Sequence, residues 1–302
     1  YDYDDYEVYD MTSQTYSMYT SATNRPNIIM KGGSRAVANR VKRGNRETAT
    51  VNPHFVTRSG EMNRSGMTNW RNAFRGSTAY GICVYDDGIL DLGINQFDID
   101  DMAAANVINS FSDIGGMVYN PNTGHFYVSS YSNSELYEVD ADGTILNTVT
   151  TDYAIVSLAW DPTTNTLYSM DEYTWLNITD PATGSMTDID MLSNTDVMCI
   201  TANASGQLYA VLYGDTSALA TIDKTDATVT TVCTLNAGCN YAQSMAFDMN
   251  DNKLYWAQCY DDANLYEINP VSGALTLKVA NTSEICGLCI PAASSPTPGP
   301  TP

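Results

Sequence analysis

Histidine is nearly absent from this chain, with only His54 and His125 in 302 residues. That scarcity leaves no histidine-based catalytic triad and no histidine-rich metal site to assemble. No run of 18 apolar residues occurs, so no segment reads as a membrane-spanning helix, and no signal-peptide pattern opens the chain. Because it starts at Tyr1 and not at a methionine, the expectation is a mature segment or one cut from something longer. An apolar series at three-four spacing is missing too, which argues against a helical solenoid. Positive charge is scarce and uneven. Of 14 Lys and Arg, 11 lie in residues 1–78, leaving Lys224, Lys253 and Lys278 against 28 acids beyond them. A field of that sign argues against nucleic acid and anionic membrane as partners of the later region. No cofactor is expected.

What the chain does have is repetition. From Gly116 to Ala280 a pattern of about 42 residues is written four times, opening with GMVYNP at Gly116, SLAWDP at Ser157, CITANA at Cys199 and SMAFDM at Ser244. An aligned tyrosine follows in each: Tyr127, Tyr168, Tyr209 and Tyr255. Third runs (ELYEVD, TWLNITD, ALATID, NLYEIN) and fourth runs (ILNTVT, SMTDID, TVTTVC, LTLKVA) complete each unit. These runs are short, rich in Val, Ile, Tyr, Thr and Leu, and separated by turn residues such as NPNTG and DPTTN. Four short strands per repeat predict an all-β fold, a β-propeller. The small opening residue of each repeat suits an innermost strand crowded near a central axis.

Ahead of the repeats, YDYDDYEVYDMTSQTYSMYT is a low-complexity run read as a solvated tail or as a strand that adds to another sheet. Residues 25 to 78 set 11 basic residues against Glu47 and Glu61 and read as an extended arm without a core. Within it, Arg40-Val41-Lys42-Arg43 resembles a furin-type processing site. From Ala79 the pattern resumes incompletely: AYGICVYD, INQFDID and NVINSF match second, third and fourth strands. The missing first strand is CGLCIP at Cys286, 42 residues after Ser244. A ring in which the C-terminal strand completes the first of five four-stranded blades follows. The predicted organisation is thus 1–78 N-terminal arm, 79–291 β-propeller and 292–302 Pro/Thr-rich linker leading to a further module or anchor.

The segments VYNPNTGHFYV and ELYEVDADGTILNTV resemble the YVTN-type propeller repeat of secreted and cell-surface proteins, and KLYWAQ at Lys253 resembles the related YWTD-type strand. The resemblance spans residues 79 to 291 and implies architecture, since such propellers serve as adhesins, ligand binders, assembly modules and, less often, enzymes. Members of that group commonly have more than five repeats. That leaves open a divergent blade within the arm, but VNPHFVTRSG at Val51 is an echo of the repeat too weak to count as one.

Candidate sites are few. Asp161 and Asp248 occupy equivalent positions after the innermost strand, where glycosidase carboxylates could sit but where turn capping is the simpler reading. Asp140 to Gly143 matches part of a calcium loop without its terminal Glu. Seven cysteines are present, and Cys286 and Cys289 have redox-motif spacing in a strand context. Structural pairing is expected instead: Cys83 with Cys286 or its neighbour Cys289 as a staple of the ring, and Cys233 with Cys239 locally. Sequons stand at Asn63, Asn177, Asn203 and Asn281. Trp160, Trp175 and Trp256 are candidate sugar platforms, with blade packing the competing role.

The sequence therefore points to a non-catalytic, extracellular or surface-displayed propeller acting in structure, assembly or adhesion. Its partners would be other protein chains, including copies of itself joined through the arm into a filament. A glycan-binding lectin and a hydrolase with unrecognised channel carboxylates are the alternatives.

Overall fold

A computed structural model describes residues 77–83, 89–103, 105–110, 115–240, 243–260 and 262–293. Residues 1–76 of the arm, with Asn63, Arg40 to Arg43 and the echo at Val51, lie outside the described residues, as does the segment 294–302, and β1 begins at Thr78 inside the expected arm boundary.

Each repeat folds into one four-stranded antiparallel sheet. Blade 2 holds β4 (Gly116–Asn120), β5 (His125–Ser130), β6 (Glu135–Val139) and β7 (Ile145–Thr150). Blade 3 holds β8 (Ile155–Asp161), β9 (Thr166–Asp171), β10 (Trp175–Thr179) and β11 (Met186–Met191). Blade 4 holds β12 (Val197–Ala202), β13 (Leu208–Leu212), β14 (Ala218–Ile222) and β15 (Val229–Thr234). Blade 5 holds β16 (Ser244–Phe247), β17 (Leu254–Cys259), β18 (Ala263–Ile268) and β19 (Leu275–Ala280). Blade 1 is composite: β1 (Thr78–Cys83), β2 (Gly93–Asp98) and β3 (Asn106–Asn109) pair with β20 (Ile285–Cys289) from the far end of the chain. The protein is a five-bladed β-propeller.

Closure is specific in register. Tyr80 faces Cys289, Gly81 faces Leu288, Ile82 faces Gly287, and a bulge then sets Cys83 opposite Ile285. Each innermost strand touches the next, and β20 touches both β16 and β4, so the ring has no gap. The small opening residues explain how close that approach is. A Cβ on Gly287 would fall 2.6 Å from the backbone nitrogen of Met117, and one on Gly116 would fall 3.2 Å from the Cα of Ser157. The two serines link neighbours directly: Ser157 Oγ accepts from Ile200 N–H and Ser244 Oγ from Leu288 N–H, both at 3.0 Å.

Burial falls from the axis outward. Every residue of β8, β12, β16 and β20 is buried, whereas β7 is almost wholly exposed. The core consequently lies between blades and not within one sheet. The aligned tyrosines work there: Tyr80 packs on Phe126 at 4.7 Å, Tyr127 on Trp160 at 5.9 Å and Tyr209 on Phe247 at 5.2 Å, each from one blade to the next.

The meander gives the ring two unlike ends. Innermost strands start at what we term the entry end, where second-to-third turns and blade-to-blade links also lie. First-to-second and third-to-fourth turns lie at the exit end. The exit end is uniform. Asn120, Asp161, Asn203 and Asp248 in the former turns, and Asp98, Asp140, Asp180, Asp223 and Asn269 in the latter, each accept the N–H two residues on at 2.8–3.1 Å. These are Asx turns, so the repeated Asp and Asn are folding signals.

Candidate interaction face at the entry end

The candidate residues of the exit end are committed to structure. Asp161 has no exposed side-chain surface, accepts from Thr163 and Thr164, and pairs with Lys224 of the next blade at 2.7 Å. Burial alone would raise its carboxyl, but the Lys224 ammonium and the threonine donors hold it well below the usual carboxylate range. Asp248 accepts from both the backbone and the side-chain amide of Asn250. Asp140 accepts from the N–H groups of Asp142 and Thr144, while Asp142 accepts from the Thr144 hydroxyl, so both serve their own turn. Among the described residues no group of three or more His, Cys, Asp or Glu is placed to hold a metal.

The three candidate tryptophans lie in the core. Trp256 is fully buried with Nε1 donating to Gln243 Oε1 at 2.6 Å, and Trp160 and Trp175 are buried as well. None of the three offers a face to a sugar. Asn177 is also fully buried, its amide donating to Asp171 Oδ2 and to the Trp175 carbonyl, so a glycan on that nitrogen is incompatible with the fold. Asn203 is half-buried and caps its turn, with the Ser205 hydroxyl of its own sequon donating to it at 2.8 Å. Asn281 is exposed.

Among the described residues no disulfide joins the cysteines. The ring staple is set against by side-chain direction. Cys83 packs in the cluster between blades 5 and 1, whereas Cys286 and Cys289 pack on the opposite face of the same sheet with Ile82 and Met117. Cys233 and Cys239 are likewise separated: Cys233 lies against the Gly273 turn of the next blade, and Cys239 lies in electrostatic contact with Cys199. Burial raises the thiols of Cys199, Cys233, Cys239 (to about 11) and Cys289, which keeps them protonated.

The entry end is different in kind. A second tyrosine recurs four or five residues after the aligned one, at Tyr131, Tyr173, Tyr213 and Tyr260, and Tyr85 holds the same place in sequence outside the described residues. Sequence reading aligns only the first series; the second stands just after the second strand of blades 2 to 5 and is legible at the same period. Carboxylates accompany it. Asp171 is buried, accepting from the N–H groups of Tyr173 and Trp175, and this fixes the blade 3 turn so that Glu172 sits between Tyr131 and Ala154 of the preceding connection. Tyr153 meets Tyr173 edge-on, with ring centroids 6.2 Å apart. Farther round, the Tyr260 hydroxyl donates to Asp215 at 3.1 Å.

The field there is negative. Burial pushes Glu172 up, the neighbouring Asp171 charge adds to it, and hydrogen bonding with Tyr131, Ala154 and Tyr173 offsets them only in part, leaving the carboxyl at about 7. Burial and the charges of Glu172 and Asp171 push Tyr173 up to about 12. Tyr213 is raised by burial and then by Asp215 and Tyr260. The three lysines of the described residues have their ammonium groups elsewhere, on Asp161, on Asp251, and on Asp100 with Glu267. Three polar atoms in the links of this end, Thr195 Oγ1, Asn240 Oδ1 and Thr282 Oγ1, are buried without a hydrogen-bond partner.

No family model matches the chain, and no curated protein sequence matches it. Solved structures do resemble it in fold. A structural-genomics protein of unknown function from Bacteroides thetaiotaomicron is 12% identical, with TM-score 0.50, covering 71% of this chain and 70% of that one. A structure of a nidogen/laminin complex gives 12% identity and TM-score 0.49 over 71% of this chain and 98% of that one. Kuenenia stuttgartiensis hydrazine synthase gives 16% identity and TM-score 0.39 over 59% and 52%. Only the first of these reaches a TM-score of 0.50, and at 12% identity its likeness concerns the fold alone.

Proposed function

We propose that the chain is a non-catalytic, extracellular β-propeller that acts as a structural, assembly or adhesion module through contacts with other protein chains, and that it builds surface filaments. The observation that carries this reading is the contrast between the two ends. Carboxylates and amides of the exit end are consumed by Asx turns, whereas the entry end leaves Tyr153, Tyr173, Tyr260 and Glu172 half-buried and Asp215 exposed around its turns. Tyrosine is favoured at interfaces because it brings a large, stiff, amphipathic surface. Capping duty for Asp161 and Asp248 weakens the hydrolase alternative. The Pro/Thr/Ser-rich tail and the exposed sequon at Asn281 fit an extracellular setting. A lectin remains the second reading, favoured by the half-buried Tyr153, Tyr173 and Tyr260 as stacking faces. Negative-stain microscopy of material from the native source, with a glycan array on the purified chain, tests both. Ordered assemblies and a silent array are expected, while isolated rings with strong glycan signals would favour the lectin.

A further inference from the structure

Ser77 and the acidic face lie at opposite ends of the ring. Ser77, the first residue before β1, lies at the exit end, where Asn250 donates to its hydroxyl at 3.2 Å and Ile99 N–H donates to its carbonyl at 3.1 Å. Pro291 and Ala293 lie beside the same Asn250, so the described chain both begins and finishes there. Residues 25–76 precede Ser77, which lies at the end occupied by Asx turns, one strand length away from Tyr153, Glu172 and Tyr173. They carry 11 Lys and Arg against Glu47 and Glu61. A cation placed among tyrosine rings beside a carboxylate gains from both the ring faces and the charge, most of all where water is partly excluded. The entry end offers that combination, and none of the three lysines of the described residues supplies the cation. Buried Thr195, Asn240 and Thr282, each under 10% exposed and with a polar atom lacking a partner, sit in the links of the same end.

We propose that the entry end of one copy, at Tyr153, Glu172, Tyr173, Asp215 and Tyr260, receives arginine and lysine side chains from residues 25–76 of a second copy. This placement rests on the assembly-module reading above and gives it a site. A neighbour stacked with its entry end toward the exit end of the first brings its acidic face up to Ser77, the described residue that residues 25–76 precede. The contact is head-to-tail, and head-to-tail contacts propagate into open filaments unless the rotation closes.

The test uses the full chain, its Glu172→Gln and Asp215→Asn variants, and Asp226→Asn at the exit end as a charge-matched control. The probe is a labelled peptide of residues 34–47, SRAVANRVKRGNRE. Sedimentation velocity over rising concentration is expected to show species beyond the monomer that excess peptide dissolves. Peptide affinity should fall about tenfold in either entry-end variant, the scale of one desolvated cation contact, and stay unchanged in the control. A monomeric chain that still binds the peptide at the entry end would mean that its arm reaches no neighbour, which overturns the neighbour contact. Equal losses in all three variants would reduce the effect to diffuse charge and overturn the site. Assemblies indifferent to the peptide and to both entry-end variants would overturn the site while leaving the assembly role standing. A monomer that ignores the peptide overturns the arm contact altogether.

Discussion

At the scale of single residues, two carboxyls pull stability in opposite directions with pH. Asp161 is held below its ordinary 3.8, so its contribution is present above that pH and is lost as pH falls below it. Glu172 is raised from 4.5 to about 7, so the folded state favours its neutral form: that contribution is present below pH 4.5 and is lost as pH rises through 7. Thermal stability should therefore crest between about pH 4 and 5 for these two groups, and Glu172→Gln should flatten the decline toward neutral pH. The shift at Glu172 corresponds to no more than about 3 kcal/mol, less whatever solvent screens. Melting curves at half-unit pH steps check this, and an unchanged slope in Glu172→Gln would locate the titration elsewhere. A second pair of residues separates backbone strain from space. Gly184 and Gly124 have nearly the same φ, +80° and +77°, but a Cβ at Gly184 would fall 2.0 Å from the Thr150 carbonyl oxygen of the preceding blade, whereas one at Gly124 meets nothing closer than 3.8 Å. Gly124→Ala should cost about 1 kcal/mol and Gly184→Ala about 2–4 kcal/mol, read as denaturant midpoints. Equal costs would mean that blade 3 does not press on blade 2 at that turn.

At the scale of elements, the closing strand is the most exposed to test. β20 is buried along its length, pairs with β1 and touches β4 and β16, so a chain ending at Glu284 loses one blade's innermost strand and two inter-blade contacts at once. Burial of Ile285 and Leu288 at roughly 1.5–3 kcal/mol each, with the ladder bonds at about 1 kcal/mol each, exceeds much of a typical domain's margin. The truncated chain should melt far below the parent or fail to fold; an unchanged melting temperature would place closure elsewhere. This strand also shows what sequence could and could not convey. The 42-residue spacing and the small residues at Gly116, Ser157, Cys199 and Ser244 reveal the ring and its closure, because crowding at the axis acts on each repeat alike. The side-chain direction of the cysteines was hidden by one irregularity. The bulge at Ile82 and Cys83 turns both Cys286 and Gly287 toward Met117, and a one-residue slip reverses which face a strand residue addresses. Asn177 was hidden in the same way, since a sequon carries no sign of which face its strand buries.

For the whole molecule, the candidate site was legible only in part. The tyrosines at Tyr131, Tyr173, Tyr213 and Tyr260 repeat visibly, but their gathering at one end, with Asp171 turned inward and Glu172 outward, follows from the meander and not from spacing. Charge is where the whole ring acts together. Beyond residue 78 only Lys224, Lys253 and Lys278 stand against 28 acids, and the pairs they form neutralise few of them. Such an excess of one sign works against the compact state. At about 0.01 M salt the screening length is roughly 30 Å, so carboxylates on different blades repel each other across the ring; at about 0.15 M it is roughly 8 Å and only neighbours do. A relief of ~1 kcal/mol would raise the melting temperature by about 2–4 °C for a ring of this size. The full chain at low concentration should therefore melt higher in 0.15 M than in 0.01 M salt near pH 7, and the difference should vanish below about pH 3, where the carboxylates are protonated. A melting temperature that falls with salt at neutral pH would mean that attraction between the basic arm and the ring within one chain outweighs the repulsion, and would shift the expected arm contact from a neighbour to the chain itself.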